Sequence, residues 1–470
     1  MQKLSYLILL ILVFGCTEEQ KETPQKPNIV FVFADDMTYT AISALGNTEV
    51  KTPNIDRLVN HGTTFTHTYN MGAWNGAVCA ASRAMIISGR SVWDVDNFRQ
   101  GWKENKNFDK TWSKLMEGAG YDTYMTGKWH VACDAASIFQ TAKHIRPGMP
   151  NQTKAGYHRP TSLDDKTWLP WDTAREGFWK GGKHWSEVVA DDAESFLASA
   201  KDAENPFFMY IAFNAPHDPR QSPQEFVERF PVDKVSLPKP FYPRYPYALG
   251  LETIRDEELA PFPRTEFSVK TNRAEYYAII AHLDVQIGRI LDALAKNGLA
   301  DNTYIVFTAD HGLAVGHHGL MGKQNLHDHS LRVPYFICGP DVPAGKETAE
   351  KIYLQDAMAT ALDVAGAGRP NGVEFHSVLP IVRGEAKSPY ASIYGAYLAA
   401  QRAIIAENHK LIVYPDLDEK LLFDLDKDEW EQNNLVDDKP ELVETLTKQL
   451  EALQEEMDDD VSLSHVMGAE

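Results

Sequence analysis

The chain has 470 residues, of which 43% are hydrophobic and 24% are charged, and its formal net charge is -20. This length and composition are ordinary for a globular protein and allow one large domain plus a smaller one. The strong negative charge argues against nonspecific binding to nucleic acid, so we expect no nucleic-acid partner.

The first residues have the features of a bacterial export signal. A positively charged residue precedes a mostly apolar stretch, Leu4–Phe14, which is too short to span a bilayer. Gly15-Cys16 at its end resembles a lipobox, so we expect residues 1–15 to be a lipoprotein signal peptide and Cys16 to be lipidated. A plain cleaved signal peptide is the alternative. Residues 16–26 are polar and acidic and are interpreted as a flexible tether.

These features predict an exported bacterial lipoprotein. Its lipid anchor would hold it at the outer membrane, facing either the periplasm or the outside of the cell.

Continuous apolar runs alternate with helical patterns from residue 27 onward. Such runs are typical of strands buried on both faces of a parallel sheet, and the alternation predicts an α/β fold. The predicted strands are Asn28–Ala34, Tyr121–Thr126, Pro206–Phe213 and Thr303–Ala309. One helix is predicted to begin at Pro53, with Thr52 as its cap, and another to cover Arg273–Leu294.

Two stretches, residues 134–190 and 218–270, lack clear periodicity and are predicted to be long loops that form the walls of a cleft. Beyond residue 384, short strands and polar turns predict a small α+β subdomain with an antiparallel sheet. Its predicted elements are the strands Ser392–Leu398, Ala403–Glu407, Lys410–Tyr414 and Lys420–Asp424 and an amphipathic helix over Pro440–Met457. The predicted domains are therefore 27–384 and 385–470, the second ending in an acidic tail.

Acidic residues follow two of the predicted strands, at the edge where sites form in parallel sheets. Asp35-Asp36 follow the first strand and Asp310-His311 the last. Three carboxylates that converge without countercharge repel each other, so a divalent cation is the simplest remedy. Oxygen-rich ligands favour Ca²⁺ or Mg²⁺ over zinc, although the imidazole leaves that choice open.

Lysines and histidines follow the other strands and a glycine-rich loop. Lys128 and His130 come directly after the second predicted strand, and His217 lies between two prolines that make its loop rigid. Lys323 follows a run rich in glycine and histidine. Taken alone, each is better explained as a surface or capping residue, but together they are candidate cations and proton carriers.

The segment Cys79–Arg83 reads C-A-A-S-R and matches the pattern C-x-[PA]-S-R. With the clusters above, it makes the chain resemble a type I, formylglycine-dependent sulfatase of the alkaline phosphatase superfamily. The resemblance covers nearly all of residues 27 to 457, with the motifs in family order. It implies a large, mixed, mainly parallel sheet sandwiched by helices. Two departures are Ala81, where proline is commoner, and His311, where many members have asparagine.

The resemblance also implies a modified residue and one metal ion. Cys79 would be oxidised to formylglycine by a formylglycine-generating or an anaerobic sulfatase-maturing enzyme. One hydroxyl of the hydrated aldehyde would attack sulfur, and the other would drive the collapse that expels sulfate. The implied Ca²⁺ ligands are Asp35, Asp36, Cys79, Asp310 and His311.

The remaining motif residues receive roles by the same resemblance. Arg83 would orient the hydrated aldehyde. Lys128 and Lys323 would bind sulfate oxygens as their charge redistributes. His217 would be the general acid for the leaving oxygen, and His130 the base for collapse.

The predicted function is hydrolysis of sulfate esters on a sulfated carbohydrate, either an algal polysaccharide such as ulvan or carrageenan or glycosaminoglycan oligosaccharides. The candidate sugar-binding residues, for which ordinary packing is the competing explanation, are Trp74, His184, Trp185 and Arg220. A phosphonate monoester or phosphodiester hydrolase, a choline-sulfatase-like enzyme and a non-catalytic carbohydrate-binding lipoprotein are the alternatives. Cys133 and Cys338 have no assigned role, and whether they pair is open.

Overall fold

The computed structural model describes residues 26–463 except 105, 149–158, 248 and 250. The signal peptide, the lipidation site at Cys16, the tether up to residue 25 and the end of the acidic tail lie outside the described residues. Within the described part of the chain, no helix combines the length and apolar character needed to cross a membrane.

The described strands fall into two sheets. In chain order they are β1 (Asn28–Asp35), β2 (Thr63–Tyr69), β3 (Gly72–Ala73), β4 (Asp122–Lys128), β5 (Thr141–Arg146), β6 (Phe207–Pro216), β7 (Thr303–Ala309), β8 (Arg332–Val333), β9 (Tyr335–Cys338), β10 (Lys346–Tyr353), β11 (Ser392–Tyr397), β12 (Gln401–Ala406), β13 (His409–Tyr414) and β14 (Glu419–Asp424).

The described α-helices lie between and after these strands. They are α1 (Pro53–His61), α2 (Val78–Ser88), α3 (Val92–Phe98), α4 (Trp112–Gly118), α5 (Ala135–Ile138), α6 (Trp185–Ala200), α7 (Gln224–Val227), α8 (Glu266–Lys296), α9 (Asp328–Leu331), α10 (Asp356–Val364), α11 (Leu379–Val382) and α12 (Pro440–Glu456).

The large sheet is mainly parallel, as predicted. Its order is β10-β2-β9-β7-β1-β6-β4-β5, with β8 paired to β2. Strands β7, β1, β6, β4 and β5 run parallel, whereas β9 is antiparallel to both of its neighbours. Every residue of β1 and β6 is buried, which explains why their sequences are continuous apolar runs.

The second sheet has the order β14-β13-β12-β11-β3. Strands β11 to β14 form the predicted antiparallel meander. The sequence did not predict β3, which comes from the N-terminal part of the chain and pairs parallel to β11. A Cβ atom at Gly72 would lie 1.8 Å from the carbonyl oxygen of Ala396, so this close approach requires glycine.

The cap of one helix and the start of another differ from prediction. Helix α1 begins at Pro53, but the Thr52 hydroxyl does not cap it, because it donates to Asp56 and accepts from the Ser43 amide. Helix α8 begins at Glu266 rather than Arg273, because Thr265 caps it.

The two predicted loops contain regular structure, and that part of the prediction was wrong. The stretch 134–190 holds α5, β5 and the start of α6, and the stretch 218–270 holds α7 and the start of α8. Strand β5 lies at the sheet edge, and only Arg146 among its residues is fully buried. An edge strand of this kind lacks the apolar run by which a buried strand is recognised.

Candidate active site

The carboxyl ends of four adjacent strands carry the predicted site residues. Strands β7, β1, β6 and β4 are neighbours in the sheet. The residues at or directly after their ends are Asp310 and His311, Asp35 and Asp36, His217, and Lys128, respectively. The sheet therefore brings together side chains that lie far apart in the sequence.

The acidic residues form one buried cluster with Cys79. One ligand atom each from Asp35, Cys79, Asp310 and His311 lie within 4.8 Å of one another, and a second such group contains Asp36 and His217. Asp35 Oδ1 is buried and has no hydrogen-bond donor among the described residues. This orphaned oxygen and the oxygen-rich donor set fit a hard divalent cation such as Ca²⁺ or Mg²⁺.

The orientation of His311 also fits a metal ligand. Its Nδ1 lies 2.8 Å from the carbonyl oxygen of Gly312 and must donate to it. Nε2 lies 3.2 Å from Asp36 Oδ1 and 3.4 Å from Cys79 Sγ. A main-chain hydrogen bond of this kind fixes the ring so that the other nitrogen faces the ligand cluster.

Arg83 joins the acidic cluster to helix α2, which also carries Cys79. Cys79 lies in the first turn of α2, and Arg83 follows one turn later on the same face. Arg83 Nε donates to Asp310 at 3.1 Å, Nη1 donates to the Lys128 carbonyl at 2.8 Å, and Nη2 lies 3.6 Å from Asp35. Burial opposes the charge of this guanidinium, but Asp310 and Asp35 outweigh it and raise the pKa of Arg83.

Two buried lysines complete the charge balance. Lys128 Nζ contacts Asp35 Oδ2, and Lys323 Nζ donates to both carboxylate oxygens of Asp36, at 2.8 and 2.7 Å. Lys323 Nζ is also 3.4 Å from Cys79 Sγ. Although burial opposes it, the negative charge of Asp36 and its neighbours holds the pKa of Lys323 well above its usual value.

The pKa values of His130 and His217 are both lower than that of a free histidine side chain. Burial, Lys128 and Arg83 lower the pKa of His130 to about 3. Burial and the charges of the two lysines lower the pKa of His217 well below its usual value. His217 Nδ1 donates to the Asp218 carbonyl at 2.7 Å, so Nε2 carries a lone pair. A base role for His130 and an acid role for His217 therefore both require a bound anion that raises the pKa of the imidazole.

A cleft of about 720 Å³ lies between His130 and helix α2, whose Ala80 and Ala84 line it. His130 lines it, together with Trp74, Asn75 and Arg99. The guanidinium of Arg99 lies 5.2 Å from the centre of the Trp74 ring. The structure therefore places Trp74 beside a predicted catalytic group, where a sugar-binding residue is expected.

The other three predicted sugar-binding residues lie in the interior. His184 caps α6 through Nδ1 and donates through Nε2 to the Gln221 carbonyl at 2.9 Å. Trp185 is buried, and Arg220 is fully buried with Nη1 donating to a main-chain carbonyl. These contacts are typical of residues packed in the interior. They favour ordinary packing, the competing explanation, for these three residues.

Two residues that support the site were not predicted. The Tyr276 hydroxyl donates to the Asp36 carbonyl at 2.7 Å and accepts from the Thr38 amide at 3.0 Å, which fixes the loop after β1. Asp256 Oδ2 lies 4.0 Å from Lys323 Nζ. In the sequence, Tyr276 resembles any apolar helix residue, and Asp256 lies in a stretch interpreted as a loop.

The remaining cysteines give no disulfide. Cys133 and Cys338 are both buried free thiols, and burial raises the pKa of each to about 12.

Comparison with known proteins gives a consistent result. The family model described as "Sulfatase" matches residues 27–367, and that described as "N-sulphoglucosamine sulphohydrolase, C-terminal" matches residues 316–456. The N-acetylglucosamine-6-O-sulfatase of Bacteroides thetaiotaomicron is 26% identical over 90% of this chain and 84% of its own. The arylsulfatase of Clostridium perfringens is 28% identical over 87% of this chain and 90% of its own.

Solved structures share the fold. The structure of BT4656 in complex with its substrate D-glucosamine-2-N,6-O-disulfate has a TM-score of 0.73 and 23% identity, over 93% of this chain and 99% of that one. The phosphonate monoester hydrolase of Agrobacterium radiobacter has a TM-score of 0.70 and 22% identity, over 92% and 96% of the two chains.

Proposed function

Because the chain belongs to the sulfatase family and is a sulfuric ester hydrolase, we propose that it is an exported, calcium-dependent enzyme that removes sulfate from sulfated carbohydrates. The observation that carries this proposal is the position of Cys79. Its sulfur lies within 3.4 Å of both His311 Nε2 and Lys323 Nζ, between the acidic cluster and the buried cations. A nucleophile formed there would meet a sulfate group held by positive charge.

The residues of this chain can perform the binding and proton steps. Lys128 and Lys323 supply ammonium groups that bind the non-bridging oxygens of the sulfate ester. Arg83 fixes the positions of Asp310 and of the Lys128 main chain by hydrogen bonds. His217 Nε2 faces the cluster, and the negative charge of the bound ester would favour its protonation and hence proton delivery to the leaving oxygen. His130 would accept the proton released when sulfate departs, once the negative charge of the bound group has raised its pKa.

The residues of the site fit two further groups, a Ca²⁺ ion and a formylglycine, which would supply the rest of the chemistry. A Ca²⁺ ion held by Asp35, Asp36, Asp310 and His311 would polarise the sulfate ester and the nucleophile. Formylglycine at position 79 would supply, once hydrated, a hydroxyl nucleophile whose partner hydroxyl allows sulfate to be expelled.

A carbohydrate as the leaving alcohol is supported by the relatives and by the cleft. One relative is named for N-acetylglucosamine 6-O-sulfate, and one structural neighbour is described with a glucosamine disulfate. Trp74, Asn75 and Arg99 line the cleft beside His130. Aromatic and polar groups of this kind suit the apolar face and the hydroxyls of a sugar.

The test is sulfate release from a panel of defined sulfated oligosaccharides, using protein coexpressed with a maturation enzyme. We expect release with wild type and none with Cys79→Ala. Cys338→Ala is the matched control, since it removes another buried thiol and should retain activity. Mass spectrometry of the Cys79 peptide should show an aldehyde. An unmodified thiol in fully active enzyme would refute the formylglycine mechanism.

The same preparation distinguishes the alternatives. Faster turnover of an aryl phosphate diester or a phosphonate monoester than of an aryl sulfate would indicate the hydrolase alternative. Binding of a polysaccharide without turnover by matured protein would indicate a non-catalytic role. Turnover of choline sulfate alone would indicate a small-molecule sulfatase.

Export is tested separately in the producing cell. We expect the wild-type chain in the membrane fraction and Cys16→Ala in the soluble exported fraction. Equal distribution of the two chains would refute lipid anchoring.

A further inference from the structure

Arg146, the last residue of β5, is a buried cation with no hydrogen-bonded counterion among the described residues. Its side chain is 1% exposed, and none of Nε, Nη1 and Nη2 has a hydrogen-bond partner in the described part of the chain. The guanidinium lies 4.8 Å from the centre of the Trp185 ring. Burial lowers the pKa of Arg146 to about 10, although the more distant charges of Asp35 and Glu176 act against that shift.

Comparison with Arg83 shows that Arg146 lacks hydrogen-bond acceptors. Arg83 is also fully buried, but it donates hydrogen bonds to a carboxylate and a carbonyl. No hydrogen bond joins Arg146 to Asp35 or to Glu176, and the charges of these two carboxylates act on it only from farther away. A guanidinium carries five N–H donors, and leaving them unpaired in the interior is costly. A ligand that supplied a hydrogen-bond acceptor would remove this cost, and strain of this kind is typical of binding sites.

The position of Arg146 indicates which part of a ligand it would meet. Arg146 pairs in register with Lys128, and its carbonyl accepts from the Trp129 amide at 2.9 Å. Strand β5 is the neighbour of β4 on the side away from β1, about 4.8 Å farther from Asp35. Lys128 already reaches Asp35 from β4. Arg146 therefore lies next to Lys128 in the sheet and one strand farther than Lys128 from Asp35.

We propose that Arg146 is a specificity-determining residue that binds a second oxyanion substituent of the substrate saccharide through a forked pair of hydrogen bonds. The substituent is a sulfate, sulfamate or carboxylate group other than the sulfate that is removed. The flat guanidinium matches two oxygens of such a group, and the Trp185 ring holds the plane of the fork. This inference rests on the proposed function, because it names a property of the same substrate.

The kinetic test compares two saccharides that differ by one charge. N-acetylglucosamine 6-O-sulfate carries no second anion, and glucosamine 2-N,6-O-disulfate carries one. We expect Arg146→Met to lower kcat/KM for the disulfate about 100-fold and to change that for the monosulfate less than threefold. Arg146→Lys, which keeps the charge but not the fork, should lose less. Equal losses for both substrates, or no loss for either, would overturn the proposal.

A stability measurement tests the same inference without catalysis. Arg146→Met removes an unbalanced buried charge, so the free variant should unfold at a temperature about 1–2 °C higher than wild type. Arg264→Met is the matched control, since Arg264 is equally buried but bonded to Glu257 and three carbonyls, and it should unfold at a lower temperature. Inorganic sulfate, titrated at constant ionic strength, should stabilise wild type more than Arg146→Met.

These measurements separate the inference from the proposed function. A wild-type enzyme that hydrolyses neither saccharide would refute the proposed substrate class, while the temperature and sulfate shifts would still decide whether Arg146 binds an oxyanion. A lower unfolding temperature for Arg146→Met and for Arg146→Gln would show that Arg146 is structural and would overturn the inference.

Discussion

Replacing Arg83 tests the charge balance of the site most directly. The guanidinium is fully buried and lies between Asp310, at 3.1 Å, and Asp35, at 3.6 Å. Arg83→Met retains much of the apolar volume and leaves both carboxylates short of positive charge. Removing one partner from a buried ion pair costs about 3–5 kcal/mol. We therefore expect the free energy of unfolding of the metal-free protein to fall by about 3–5 kcal/mol.

Two further variants separate charge from geometry. Arg83→Lys keeps the charge but cannot donate hydrogen bonds to Asp310 and to the Lys128 carbonyl at the same time in the geometry of a guanidinium. The free energy of unfolding should therefore fall by about 1–3 kcal/mol. Arg57→Met removes an arginine whose pair with Asp292 is largely exposed, with side chains 42% and 73% accessible. That control should cost less than about 1 kcal/mol.

The assay is urea denaturation in the presence of a chelator, with the midpoint and slope measured for each variant. A loss for Arg83→Met no larger than that for Arg57→Met would refute the reasoning, because the carboxylates would not depend on this guanidinium. An equal loss for Arg83→Lys and Arg83→Met would show that the hydrogen-bond geometry matters and the charge does not.

Three other predictions concern ligand charge, metal and pH. Lys323→Met removes a donor near Cys79 and should lower kcat about 100- to 1,000-fold in a steady-state assay; a change below threefold would exclude it from the sulfate site. Chelation should abolish sulfate release and lower Tm. Ca²⁺ added at 100 times its Kd should raise the free energy of unfolding again by about 2.7 kcal/mol. An enzyme that is unaffected by the chelator would contradict a metal role. Burial raises the pKa of Asp356 from 3.8 to about 7, against the hydrogen bond from Tyr390, so its stabilising effect is complete below pH 4 and is lost as the pH rises through 7. Thermal unfolding should show a fall of up to about 4 kcal/mol across that interval, flattened in Asp356→Asn, and equal slopes in the two proteins would refute the assignment.

The sequence predicted the parts of the fold that have a strong local pattern. Strand β1 is buried on both faces and ends at a charged pair, so both its existence and its end could be read from the residues. Strands β6 and β7 were likewise predicted from their apolar runs, and the meander of β11 to β14 from its short strands and polar turns. The acidic cluster and His217 lie at the ends of β1, β6 and β7. The predicted positions of these three strands therefore also predicted the location of the site.

The rest depended on contacts between distant segments. Strand β3 has two residues and exists only because β11 lies beside it. Strand β5 is an exposed edge with no apolar run, so Arg146 at its end gave no signal. Cys79 lies against Lys323, which is 244 residues away, and no local pattern could pair them. The family resemblance, and not the periodicity of the chain, supplied that pairing.

The site also explains how a strongly acidic protein can bind an anionic ester. Charges beyond about 8 Å are largely screened at physiological ionic strength, so most of the net charge of -20 does not act at the site. There the three carboxylates are matched by Arg83, Lys128 and Lys323 at contact distance. A divalent cation in the acidic cluster would leave a positive surplus, and Arg146 adds a guanidinium that has no hydrogen-bond partner among the described residues. Affinity for a sulfated ligand is therefore a local property of buried groups, and it should respond to single substitutions far more than to the charge of the surface.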